Sequence, residues 1–271
     1  MNNRYEEIDT IIQTIKSAAK KNEITTGMIY NYFKKYGISD KIALKRIDLQ
    51  TCRSIEAQLK HENDGFACSV NEHGDNKCLA LEDYPWQEFT TNHIEEPVKP
   101  HYAYKVYLPV KPHHEYLSLM MSEFLVVNKI VARGLIALTY RSDSLIIYLT
   151  NAEDCRKIAQ YFKAVENQGY NLDVSLGENN PFIPSYGKVG FVAGKDTKDS
   201  SYLRRIAKHL ANYFESEKQA KRLDRVSADD FIESLSNNMS TQDTMTQLEY
   251  QQIIKNVSKV KLHSITNTKT K

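Results

Sequence analysis

The sequence predicts an α+β fold, with an N-terminal helical subdomain followed by a mixed α/β domain on a small central sheet. Three observations carry this expectation. Tyr5, Ile8, Ile11, Ile12, Ile15, Ala18 and Ala19 recur at helical spacing. Tyr102 to Val110 alternates with a period of two and is rich in aromatics, which marks a strand. Between there and Phe214, short apolar runs alternate with longer helical patterns separated by turn residues.

Residues 1–60 read as the helical subdomain. The first helix covers 4–21. A second starts after Thr25-Thr26, carries Met28, Ile29, Tyr32 and Phe33, and ends at Gly37. Ser39-Asp40 is expected to cap a third, holding Ile42, Leu44, Ile47 and Leu49 and continuing towards Leu59. Residues 61–100 read as a hairpin and linker. Asn63-Asp64-Gly65 and His73-Gly74-Asp75 are turn signals, and Pro85, Pro97 and Pro100 punctuate the polar stretch from Trp86.

Residues 101–214 form the expected α/β domain. After the Tyr102–Val110 strand, Tyr116–Ile130 reads as a helix and Leu135–Tyr140 as a strand beyond Gly134. Arg141-Ser142-Asp143-Ser144 makes a turn into a buried strand, Leu145–Leu149. Asn151 or Thr150 caps a helix through Ala164. Val189–Ala193 reads as a short strand, and Ser200-Ser201 caps a helix carrying Leu203, Ile206, Ala207, Leu210 and Phe214. Residues 215–271 read as a polar C-terminal helix, within Leu248–Val260, and a flexible tail.

Composition bounds the function. The 271 residues are 41% hydrophobic and 26% charged, enough for a sizeable core. A net charge of +2 gives no field suited to nucleic acid. The N-terminus has no apolar signal core, and no run reaches membrane-spanning length, so no membrane partner is expected. Cys68 and Cys78 flank His73, but their spacing matches no compact zinc pattern and no second ligand pair follows, so no metal is expected.

Several pieces, in order, resemble the HopA family of type III secretion effectors. They are Tyr104-Lys105-Val106-Tyr107-Leu108, Arg141-Ser142-Asp143-Ser144-Leu145-Ile146-Ile147-Tyr148-Leu149, Asn180-Pro181-Phe182, Gly187-Lys188-Val189-Gly190 and Ser200-Ser201-Tyr202-Leu203-Arg204-Arg205-Ile206-Ala207. The resemblance covers a little under half of the chain. In place of the family's Ser-Phe-Gly turn stands Lys198-Asp199-Ser200-Ser201-Tyr202. The resemblance implies a bacterial protein made in the cytoplasm and delivered into a host cell. It also implies a host or pathway protein or phosphopeptide as partner, and HopA-like relatives look like phosphoserine/phosphothreonine lyases. A secretion chaperone is a further expected partner of the N-terminal region. Phosphothreonine lyase effectors carry Lys-x-His where this chain has Lys105-Val106-Tyr107.

β-Elimination of phosphate needs a base for the α-proton, an acid or cation for the leaving group, and cations that hold the phosphate. It needs no cofactor. Lys105 is the candidate base, since a lysine near cations or partly buried can be brought towards neutrality. The ordinary alternative is an exposed charge on an edge strand. Tyr107, two residues on and on the same strand face, is the candidate proton donor. His113 and His114 are weaker candidates for the acid. Arg141, Lys188, Arg204 and Arg205 are the candidate phosphate-binding residues, arginine offering a planar fork for phosphate oxygens. Asp143 either orients Arg141 or Lys105, or makes an ordinary Asx turn. Two other readings stand beside the lyase. One is a non-catalytic binding module of the same fold. The other is ADP-ribosyl transfer, for which Glu215-Ser216-Glu217 has the right spacing but lies in a charged helical run.

Overall fold

Eight antiparallel strands hydrogen-bond into one sheet in a computed structural model that describes residues 2–21, 24–70, 86–193 and 201–238. The strands are β1 (His61–Asn63), β2 (Phe66–Val70), β3 (Trp86–His93), β4 (Tyr104–Leu108), β5 (Ala132–Ala137), β6 (Leu145–Leu149), β7 (Ser185–Tyr186) and β8 (Val189–Ala193). Their order is β1-β2-β3-β5-β6-β4-β8-β7. The longest strands lie inside, and both edges are short, three residues in β1 and two in β7.

The helices are α1 (Asn2–Ala19), α2 (Thr26–Lys35), α3 (Leu49–Leu59), α4 (Tyr116–Val127), α5 (Ala152–Asn167), α6 (Leu172–Ser175), α7 (Tyr202–Gln219) and α8 (Ala228–Asn238). They cover both faces of the sheet. Ile55 and Leu59 of α3, Leu117, Met121 and Leu125 of α4, and Ile158 and Phe162 of α5 pack on Val106, Leu108, Ile147 and Phe191. On the other face, Ile11 and Ile12 of α1, Phe33 of α2, Leu203 and Leu210 of α7, and Phe231 of α8 pack with Tyr107, Ile146, Tyr148 and Val192. The period-two pattern of β4 thus decides which core each side chain joins.

The α+β class and the helical N-terminus are as the sequence predicts. Caps explain several boundaries: Thr25 accepts from Met28 N, Asn151 from Asp154 N and Ser201 from Arg204 N. Asp64 and Gly65, both at positive φ, turn β1 into β2 where the turn signal predicts it. The His73-Gly74-Asp75 turn, Cys78 and the Leu248–Val260 helix lie outside the described residues.

Three local expectations fail. Trp86–His93 is a strand between β2 and β5 rather than linker. Two of its polar residues are buried with partners distant in sequence: Glu88 takes two hydrogen bonds from Arg133, at 2.8 and 2.7 Å, and the Thr91 hydroxyl donates to Ile130 O at 2.6 Å. The helix expected from Ser39-Asp40 starts instead at Leu49, capped by Asp48. Residues 44–47 pair with residues 138–140, Leu44 N donating to Tyr140 O at 2.8 Å and Ile47 N to Leu138 O at 2.9 Å. Gly134 lies inside β5 rather than before it, because the buried Phe89 ring rests against it. A Cβ there would stand 2.0 Å from the ring.

Candidate functional site

The candidate site is built on the sheet face covered by α1, α2, α7 and α8. Strand register sets its rows. Lys105 of β4 faces Tyr148 of β6, and Tyr148 faces Arg133 of β5. In the next row Tyr107 faces Ile146, and Ile146 faces Leu135. The expected pairing of Lys105 with Tyr107 on one face therefore holds. The edge-strand alternative for Lys105 does not, since β4 is bonded on both sides, to β6 and β8. Lys105 and Tyr107 are each 1% exposed.

Lys105 Nζ lies 5.5 Å from the centre of the Tyr148 ring, and the Arg133 guanidinium lies 5.4 Å from the same centre. Tyr148 thus receives a cation from the strand on each side. Arg133 is held by its paired bonds to Glu88. The Tyr102 ring, just before β4, meets Tyr148 edge-on at 6.1 Å. Burial raises the Tyr102 hydroxyl above its usual pKa, opposed by Arg133 and reinforced by Glu88.

The candidate phosphate cations distribute differently. Arg141 is 5% exposed. Its guanidinium grips the Asp143 carboxylate through two bonds, donates to Tyr30 Oη at 3.2 Å and lies 4.4 Å from the centre of the Trp86 ring. Burial opposes the charge on Arg141, but Asp143 outweighs it and raises the pKa. Asp143 is therefore the group that orients Arg141. Lys188, next to Gly187 at φ 55°, is paired with Asp173 at 3.0 Å and with Glu178. Burial works against its charge, and these carboxylates raise its pKa on balance. Arg204, in the first turn of α7, is exposed. Arg205 is half-buried with its guanidinium 5.9 Å from the Tyr202 ring centre. His113 packs on Tyr140 and His114 on Tyr116. Glu217 is tied to Arg222 at 2.8 Å.

Sequence reasoning misses Lys34, Tyr30, Trp86, Glu88, Arg133 and Tyr148 as site residues. Lys34 Nζ lies 5.0 Å from the Tyr30 ring centre, on the tyrosine whose hydroxyl takes the Arg141 bond. Burial lowers the Lys34 pKa, Arg141 and then Arg204 lower it further, and Asp143 pulls the other way. Beside the Asp143 turn a cavity of about 120 Å³ opens, lined by Tyr36, Ile42, Val110, Arg141, Ser142 and Glu178 among others.

The chain is similar in fold to an effector protein of Pseudomonas syringae pv. tomato. The match has a TM-score of 0.51 at 12% identity and covers 78% of this chain and 88% of that one. An effector protein of Pseudomonas syringae pv. syringae matches at 12% identity with a TM-score of 0.49, over 77% of this chain and 86% of that one. No family model and no curated protein matches the chain. At this identity the likeness establishes the fold. Among the described residues there is no group of three or more His, Cys, Asp or Glu placed to hold a metal ion, and no helix long and apolar enough to cross a membrane.

Proposed function

We propose that this chain is an effector-type protein, related to the HopA family, that binds phosphoserine or phosphothreonine segments of a partner protein and eliminates their phosphate. The observation that supports this reading most is the Lys105 row: a buried lysine on a central strand, held on Tyr148 beside Arg133, with Tyr107 two residues on. In the reaction Lys105 takes the Cα proton as the Cβ–O bond breaks. The electron pair forms the Cα=Cβ bond, and the phosphate departs with a proton donated by Tyr107 or from solvent. Likeness to the Pseudomonas syringae effectors supports the effector reading at the level of fold.

A second reading is a non-catalytic protein-binding module of the same fold. It is favoured by Arg141 and Lys188, whose charges are already matched by Asp143 and by Asp173 and Glu178. Mass spectrometry of phosphothreonine and phosphoserine peptides incubated with the protein separates the two. Loss of phosphoric acid to leave a dehydro residue, abolished in Lys105→Met, is the expected result. Unchanged peptides across a broad library would remove the lyase reading and leave the binding module.

A further inference from the structure

We infer that the cavity beside the Asp143 turn is a docking pocket for one leucine-sized aliphatic side chain of a partner peptide, whose neighbouring main-chain carbonyl takes a hydrogen bond from Arg141 Nη1. Of the proposed function it needs only the partner protein, not the phosphate or its elimination.

The chain segments that wall the pocket are locked to one another. Gly177 N donates to Pro109 O at 2.7 Å, and Lys111 N to Ser175 O at 2.9 Å. Ser142 N donates to Lys34 O at 2.8 Å, and Ser142 Oγ to Phe33 O at 2.7 Å. The pocket is thus formed before any ligand enters, which spares part of the ordering cost of binding. Its floor is buried, at Pro109, Val110, Arg141 and Ser142, and its mouth is exposed, at Ser39 and Glu178.

Size and chemistry select the occupant. At about 120 Å³ the cavity is far below the roughly 300–1,000 Å³ of pockets that take cofactors. It suits a single side chain, since an apolar cavity of roughly 150 Å³ holds benzene. Tyr36, Ile38, Ile42, Pro109 and Val110 give it a mainly apolar wall. The charges around it close among themselves, with Lys111, Arg141 and Lys188 standing against Asp143, Asp173 and Glu178. An ionic side chain therefore meets no spare counter-charge to offset its desolvation. One donor is left to match. Arg141 is 5% exposed, its Nε and Nη2 are engaged by Asp143 and Tyr30, and no hydrogen bond among the described residues engages Nη1. Nη1 is not among their sealed, unpartnered polar atoms either, so it keeps open space beside it, and Arg141 lines the cavity. An uncharged acceptor, such as an amide carbonyl, completes it.

The test uses the full chain with N-acetyl-L-leucine methylamide, and compares the glycine and aspartate analogues and isobutanol. It reads the methyl NMR shifts of Ile38, Ile42 and Val110 and the emission of Trp86, the chain's single tryptophan, which stacks on Arg141. Expected is saturable binding of the leucine probe with Kd on the order of 1 mM, the strength open to about a dozen atoms. Ile42→Phe and Ser39→Phe fill the pocket from its wall and its mouth, and each should weaken binding roughly tenfold. Ser39 is exposed, so its variant reports on binding even if Ile42→Phe impairs folding. Asp40→Asn, an exposed neighbour, should leave the affinity unchanged. Arg141→Met/Asp143→Leu removes the donor with both charges and should weaken binding about fivefold. Full affinity in that double variant overturns the Arg141 contact. The pocket is overturned if no saturable shift occurs, if any comparison compound binds as tightly, or if neither filling variant weakens binding. Leucine binding without phosphate loss from phosphopeptides supports the pocket and removes elimination. Phosphate loss without a response to the leucine probe supports the reaction and removes the pocket.

Discussion

Lys105 and Tyr148 face each other across the β4–β6 ladder, with the ammonium 5.5 Å from the ring centre. A lysine this deeply buried is rare without a compensating environment, because taking its charge out of water is expensive. Here the ring face supplies part of that environment, and Arg133 competes for the same ring.

Lys105→Met keeps most of the length of the side chain and removes the base. Elimination should fall by on the order of 10²–10⁴, the usual contribution of a positioned base. Single-turnover release of inorganic phosphate measures it, with a thermal melt to confirm folding. Wild-type rates in the variant would exclude Lys105 as the base.

Asp143→Asn strips Arg141 of its counter-charge while leaving the guanidinium 5% exposed. Breaking a buried pair from one side costs about 3–5 kcal/mol. The double variant Arg141→Met/Asp143→Leu should recover much of the loss, because neither charge is then stranded. Urea unfolding of the two variants beside the wild type checks this, and equal losses in the single and double variants would contradict it.

Gly134→Ala should destabilise the sheet by about 1–3 kcal/mol through overpacking. The added Cβ falls 2.0 Å from the Phe89 ring, which is fully buried. Phe89→Leu in the same chain should relieve part of the clash. Denaturation midpoints that show no such coupling would mean the ring is free to shift.

Much of this was legible in the sequence where the signal was local. The β4 alternation, the Asn151 and Ser201 caps and the Asp64-Gly65 turn each depend on neighbours a few residues away. The failures depend on distant partners. Trp86–His93 looks like linker until Arg133 neutralises Glu88 and Ile130 accepts from Thr91. Residues 42–47 have a helical pattern, but the strand-like segment at 138–140 claims the backbone of residues 44–47. The site divides the same way. Lys105 and Tyr107 were readable from period two, whereas Arg133 and Tyr148 join them only through register. Lys34 joins Arg141 only because α2 docks on the Ser142 turn.

The short outer strands of the sheet also constrain how this molecule meets others. With three residues in β1 and two in β7, its outer strands among the described residues offer few free backbone donors and acceptors. A partner peptide therefore gains little by lying alongside as a ninth strand, a mode that needs a long exposed rim. Recognition is left to side chains, which favours reading a chemical mark on the partner over reading an extended stretch of its main chain.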